Sequence, residues 1–156
     1  MEVKRGKWFE CKVRYEKTQE DGMPKKVTET YVVDGINFGD AFNRMCENTI
    51  KQLCTEEFEI VGMNMARYKD IVTVNSISDK FFRVKINVIT IDEKTDKQKK
   101  TPMFVLVQAT DIAATRKVID DDYMGGTMLD YEISSVSETK ILDFYSKWLR
   151  LQLFNS

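Results

Sequence analysis

Two short stretches of this chain place an aromatic ring ahead of basic side chains at two-residue intervals: Trp8, Lys12 and Arg14 within WFECKVRY, and Phe81, Arg83 and Lys85 within FFRVKINV. Side chains alternate faces along an extended strand, so each set shares one face. Such a face can hold single-stranded nucleic acid, with bases stacking on rings and phosphates meeting Lys or Arg. Lys25 and Lys26 in DGMPKK, and Lys94, Lys97, Lys99 and Lys100 in EKTDKQKKTP, add lysines at two expected hairpin tips. There they could close over a polyanion and release its counterions. The plainer uses are a face that packs against another element and lysines that keep sheet edges soluble.

Other residues narrow the chemistry. The chain has no histidine, which excludes Ser-His or Cys-His nucleophilic catalysis and histidine-based zinc sites within one chain. Asp120, Asp121 and Asp122 are adjacent, so their carboxylates diverge, and neither a metal nor another cofactor is expected. Gly125 and Gly126 read as a helix stop without phosphate-loop spacing. Cys11, Cys46 and Cys54 fall where strand and helix patterns place a core, and read as buried free thiols. With 24 basic and 25 acidic residues the net charge is -1, so any basic stripe must be local. No nucleophile motif marks an enzyme, and a non-catalytic protein is expected.

These side chains need elements to carry them. In WFECKVRYEK, apolar Phe9, Cys11, Val13 and Tyr15 alternate with charged residues at the period of a half-buried strand. QEDGMPKK reads as a turn and KVTETYVVDG as the returning strand, giving a hairpin over residues 8–34. Asn37 can cap a helix from Phe38 to about Cys54, with Phe38, Ala41, Phe42, Met45, Thr49 and Leu53 at helical spacing. EFEIVGM follows as a short strand, and DIVTV as a further one.

The second half repeats this order. A displacement of 73 residues sets Trp8 on Phe81, Val13 on Ile86 and Tyr15 on Val88. It becomes 74 beyond the hairpin, setting Val33 on Val107, Asn37 on Asp111 and Met45 on Ile119, then returns to 73 where FEIVG faces YEISS. A tandem duplication of a strand-strand-helix-strand module follows, over about residues 8–62 and 81–136. The expected fold class is α+β: one domain over residues 1–156, with two pseudo-symmetric modules sharing one core about a pseudo-twofold. Ser135 and Glu138 stand at capping-box spacing before Ile141, Leu142 and Tyr145, predicting a C-terminal helix over 137–153 that closes this core. Its apolar residues Trp148, Leu149, Leu151 and Leu153 could instead form a partner interface, including a homodimer contact. No apolar run approaches the roughly 20 residues of a membrane span, and the start lacks the apolar stretch of a secretory signal. A cytoplasmic location is expected.

Taken together, WFECKVRYEK, the DG and KK of the first turn, VTETYVVDG followed by a helix, EFEIVGM, and FFRVKINVITIDEK followed by KK resemble a family of uncharacterised proteins. It is a domain of unknown function that recurs in Bacteroides-type bacteria and their phages, and the likeness spans about residues 8–136. The resemblance implies a phage or mobile-element setting in a bacterial host cell, and no catalytic residues. A weaker, fold-level likeness is to Whirly-type single-strand-binding proteins. The leading expectation is therefore non-catalytic binding of single-stranded DNA or RNA, with Trp8 and Phe81 as stacking platforms and the basic residues above as phosphate contacts. The alternative is a structural or interaction protein, virion-associated or binding a host factor, that engages its partner through the C-terminal helix.

Overall fold

Strands hold 54% and helices 19% of the residues described in the structure, a computed structural model that covers residues 1–74 and 78–146. In chain order the elements are β1 (Glu2–Arg5), β2 (Trp8–Thr18), β3 (Pro24–Asp34), α1 (Phe38–Gln52), β4 (Phe58–Ala66) and β5 (Tyr68–Thr73). Next come β6 (Phe81–Ile91), β7 (Gln98–Gln108), α2 (Ile112–Lys117), a π-helical turn (Val118–Tyr123), β8 (Asp130–Glu138) and β9 (Ile141–Tyr145). They divide into two compact units. Of the described residues, one, the β2 unit, holds 6–67 with 140–146, and the other, the β6 unit, holds 1–5 with 68–74 and 78–139.

The sheet of the β2 unit runs β4-β2-β3-β9, antiparallel except that β9 lies parallel to β3. The alternating residues Phe9, Cys11 and Val13 of β2, with Tyr31 and Val33 of β3, meet Ala41 and Met45 of α1 in its core. The Asn37 side chain accepts the Asp40 N–H at 2.9 Å and so satisfies a helix-start donor. Gly35 lets the chain turn tightly into α1, since a Cβ there would lie 2.9 Å from the Ala41 nitrogen. Arg44 of α1 ties the helix back to β3, donating to both the carboxylate and the carbonyl of Asp34 at 2.6 Å.

In the β6 unit the sheet runs β1-β5-β7-β6-β8, with β5 parallel to β7. Its core joins Val72, Phe82, Val84, Ile86, Val105 and Val107 to Val118 and Ile119. Asp111 caps α2 by accepting the Ala114 N–H at 2.7 Å. The buried Asp70 carboxylate of β5 accepts from Arg5 Nε at 3.1 Å and from the Tyr123 hydroxyl.

Several details recur between the units. Strands β2 and β4 slip register between Lys12 and Val13, and β6 and β8 slip between Lys85 and Ile86, the same step 73 residues on. The correspondence also runs past the expected module ends. Ile141, Asp143, Phe144 and Tyr145 of β9 face Thr30 to Val33 as Tyr68, Asp70, Ile71 and Val72 of β5 face Phe104 to Val107. The strand after each repeat therefore completes the sheet of the other unit. The helical segments differ: α1 has 15 residues, whereas α2 has 6 and continues as a π-turn of 6.

The α+β expectation is thus corrected to a mostly-β chain with two mixed sheets and little helix. Each unit has a buried apolar cluster of its own between sheet and helix. The expected closing helix over 137–153 is also overturned, because β8 runs on to Glu138 and residues 141–145 form β9. Short apolar runs fit helix and strand periods alike, and pairing with β3 decides for the strand. Trp148, Leu149, Leu151 and Leu153 lie outside the described residues.

Candidate functional site: the α1–β4 face

The proposed stacking rings are not on the surface. Trp8 and Phe81 are both 0% exposed. The strand face that alternation assigns to solvent is apolar at one end in each unit: Trp8 shares it with Val32 and Phe144, and Phe81 with Leu106 and Ile71. The Trp8 ring meets Phe144 of β9 edge-on at 6.3 Å between centroids. For Trp8 the plainer use, a face packed against another element, is the one found, and that element is strand β9 rather than the expected helix.

The basic residues stand further along the same strand faces or at the hairpin tips, several of them among carboxylates. Lys12, Arg14, Lys25, Lys26, Arg83, Lys97, Lys99 and Lys100 are exposed and Lys85 is half-buried. Arg14 stands opposite Glu59, and Lys26 opposite Glu16, in strand register. Lys100 donates to Glu132 at 2.9 Å, and Arg83 lies 5.8 Å from the centre of the Tyr68 ring. No ring-and-phosphate surface is assembled from these residues.

The feature that stands out is apolar. Phe38 and Phe42 of α1 are 50% and 45% exposed, and Met65 of edge strand β4 is 48% exposed. Phe38 packs at 5.0 Å on the Phe9 ring, and Met65 stands opposite Phe9 in register, so both flank the same core residue. Val61, the extra residue at the β4 bulge, adds to the exposed apolar set. Helical spacing places Phe38 and Phe42 in the core, but of the six residues at that spacing only Ala41, Met45 and Thr49 are buried.

The internal repeat supplies the control. Phe42, Val61 and Met65 match Arg116, Ser134 and Glu138 of the β6 unit. The edge strand β8 carries Asp130, Glu132 and Glu138, the charges by which exposed edges avoid pairing, whereas β4 carries only Glu59. Comparing residues 42, 61 and 65 with their repeat partners was the signal in the sequence that could have exposed this face.

A family model described as a domain of unknown function, DUF4494, matches residues 7–147. The chain belongs to that family. The DUF4494 match takes in β2 through β9 and so reaches into both units. No curated protein and no solved structure matches the chain.

Further chemistry is sparse. Among the described residues no group of three or more His, Cys, Asp or Glu could hold a metal ion, and no helix is long and apolar enough to cross a membrane. Cys11 is buried, Cys46 half-buried and Cys54 exposed, which corrects the reading of all three as core. Burial, with lesser contributions from Cys46 and Glu10, pushes the Cys11 thiol up to about 12.

Proposed function

We propose that this protein is a non-catalytic interaction module, and that the α1–β4 face takes an extended segment of a protein partner. The observation that carries the reading is the contrast at three matched positions, where Phe42, Val61 and Met65 replace Arg116, Ser134 and Glu138. An unprotected edge offers unpaired backbone N–H and C=O groups, and a strand added there gains main-chain hydrogen bonds while alternate side chains reach the neighbouring surface. At β4 those side chains would meet Phe38, Phe42 and Met65. The occupant is accordingly an extended peptide with alternating apolar residues and no charge on its inward face. The phage or mobile-element setting implied by the family resemblance, in a bacterial cytoplasm, suits a small adaptor of this kind.

The test is selection of displayed random peptides against the full chain, counter-selected with the triple variant Phe42→Arg, Val61→Ser, Met65→Glu. Each substitution installs the residue of the matching position, so the variant is expected to fold. Enriched peptides should alternate apolar residues, shift β4 amide resonances and lose binding to the variant. Peptides that bind both proteins equally, or no enrichment, would reject the reading. In parallel, labelled oligonucleotides should show no saturable binding in fluorescence anisotropy at low salt, because both rings needed for stacking are buried.

A further inference from the structure

Glu29 of β3 is out of character with its face of the sheet. It lies between Val27 and Tyr31 on the α1 side of the β2 unit, and its side chain is only 13% exposed. One carboxylate oxygen, Oε1, accepts from the Tyr15 hydroxyl at 2.5 Å and from the Tyr31 hydroxyl at 3.0 Å. The other, Oε2, faces the Lys17 ammonium at 3.6 Å, an ion pair too long for a hydrogen bond. The Lys17 side chain is more than half exposed. Tyr145 of β9 stacks on Tyr31, with centroids 5.6 Å apart and planes inclined by 22°.

The repeat again shows what the fold itself needs. Tyr15, Glu29, Tyr31 and Tyr145 match Val88, Met103, Val105 and Val72 of the β6 unit. Val72 and Val105 are core there, and Met103 packs against them. Aliphatic side chains therefore serve the same backbone positions without the desolvation cost of a carboxylate and two phenols. The polar group in the β2 unit is in excess of what folding requires.

It also opens outward. Lys17, Val27 and Glu29 line an open cavity of about 570 Å³ together with Glu20 and Asp21 of the hairpin turn. One loosely held ammonium is the sole positive charge among its lining residues, so the cavity favours a further cation. The position of the Lys17 ammonium marks where such a charge meets Glu29.

We propose that Glu29, held by the Tyr15 and Tyr31 hydroxyls, is the acceptor of a binding site for an organic cation, the primary ammonium or guanidinium of a basic side chain. Lys17 is its tethered occupant, which the ligand displaces. Charge-assisted bonding to Glu29 supplies the attraction, the two buried hydroxyls hold that carboxylate in place, and Val27 gives the apolar stem of the ligand a surface. The site uses the β3 side of the sheet and is independent of the β4 edge.

The probe is Nα-acetyl-lysine methylamide, titrated into the full chain while the ring signals of Tyr15, Tyr31 and Tyr145 are followed by NMR. Saturation at about 1 mM is expected, with no response to the Nε-acetylated, neutral form of the probe. Glu29→Gln should weaken binding about tenfold or more. Lys17→Ala should tighten it several-fold by removing the internal competitor, an outcome that a purely structural Glu29 would not produce. Glu29→Met, which installs the side chain found at Met103, should stay folded and bind nothing. Equal response to the neutral probe, no saturable response, or an unchanged affinity in Lys17→Ala would each overturn the proposal. Should Glu29→Gln fail to fold, the charged-against-neutral comparison and Lys17→Ala still decide it.

Discussion

Trp8 shows how one side chain can be both buried and imperfectly accommodated. Its indole N–H meets no acceptor among the described residues although the ring is fully enclosed. An unpaired buried donor costs about 1–3 kcal/mol, and the matching position of the other unit holds Phe81, which has no such donor. Trp8→Phe should therefore change stability by less than about 1 kcal/mol, lost area offsetting the relieved donor, whereas Trp8→Ala should cost about 3–5 kcal/mol. Urea unfolding measures both, and two equally neutral substitutions would mean that the ring faces solvent. Cys54 is the complementary case of backbone strain. It follows the helix end at Leu53 with φ of 53°, the left-handed region in which glycine is at ease. Cys54→Gly should raise stability by about 0.5–1 kcal/mol, read as a higher melting temperature. In the native parent protein Ellman's reagent should titrate Cys54 quickly and Cys11 only after unfolding.

Among the elements, β9 has the largest role for its length. Five residues cover the outer edge of β3, set Phe144 against Trp8 and Tyr145 on Tyr31, and lead to Ser146, whose hydroxyl donates to Asp34 at 3.1 Å. A chain ending at Thr139 should accordingly lose cooperative unfolding of the β2 unit, visible as collapsed amide dispersion for residues of β2 and β3. A truncated chain with β2 and β3 resonances intact would show β9 to be dispensable. The same element marks how far the sequence could be read. Period-two alternation in WFECKVRYEK located β2, and Asn37 ahead of Phe38 located the start of α1, because each signal is local. ILDFY carries no local preference strong enough to choose between helix and strand, and its parallel pairing with β3 spans more than a hundred residues. Helix or strand, the segment could cover Trp8, and a single sequence does not show whether it does, so a stacking platform and a core residue stay equally legible there. The α1–β4 face was legible only by setting the halves side by side, since Phe42 alone is an ordinary helical apolar residue and acquires meaning opposite Arg116. Glu29 likewise looks ordinary in a strand that carries other charged residues, and Met103 is what makes it conspicuous.

At the scale of the whole molecule, most of the groups that titrate abnormally are phenols and thiols, all pushed up; the two carboxylates among them part ways, Asp143 raised by burial and Glu132 lowered by its bonds to Lys100 and Asn87. Burial first, then hydrogen bonding or charge at Glu29, raises Tyr15 and Tyr31, while burial and Asp143 push Tyr145 up to about 12. Cys11 rises to about 12, and burial with the Asp70 bond raises Tyr123. The unfolded references are 9.0 for the thiol and 10.0 for the phenols. Below pH 9 both folded and unfolded chains keep these protons, and stability from this source is fully present. As pH climbs past 9.0 and then 10.0 the unfolded chain releases protons that the folded chain retains, so stability falls until the folded groups ionise in turn. Each group contributes a slope of about 1.4 kcal/mol per pH unit within its window. The urea midpoint should therefore be flat from about pH 7 to 8.5 and fall steeply above about 9.5. Tyr145→Phe removes one titrating group from the β2 unit and should make that fall shallower, whereas Tyr131→Phe should change it less, since that hydroxyl is raised mainly by its exposed bond to Asp120. A midpoint that held constant up to pH 11, or a Tyr145→Phe profile parallel to the parent, would show that these hydroxyls are freely solvated in the folded protein. The tyrosine–glutamate site would then lack the enclosure on which its attraction for a cation depends.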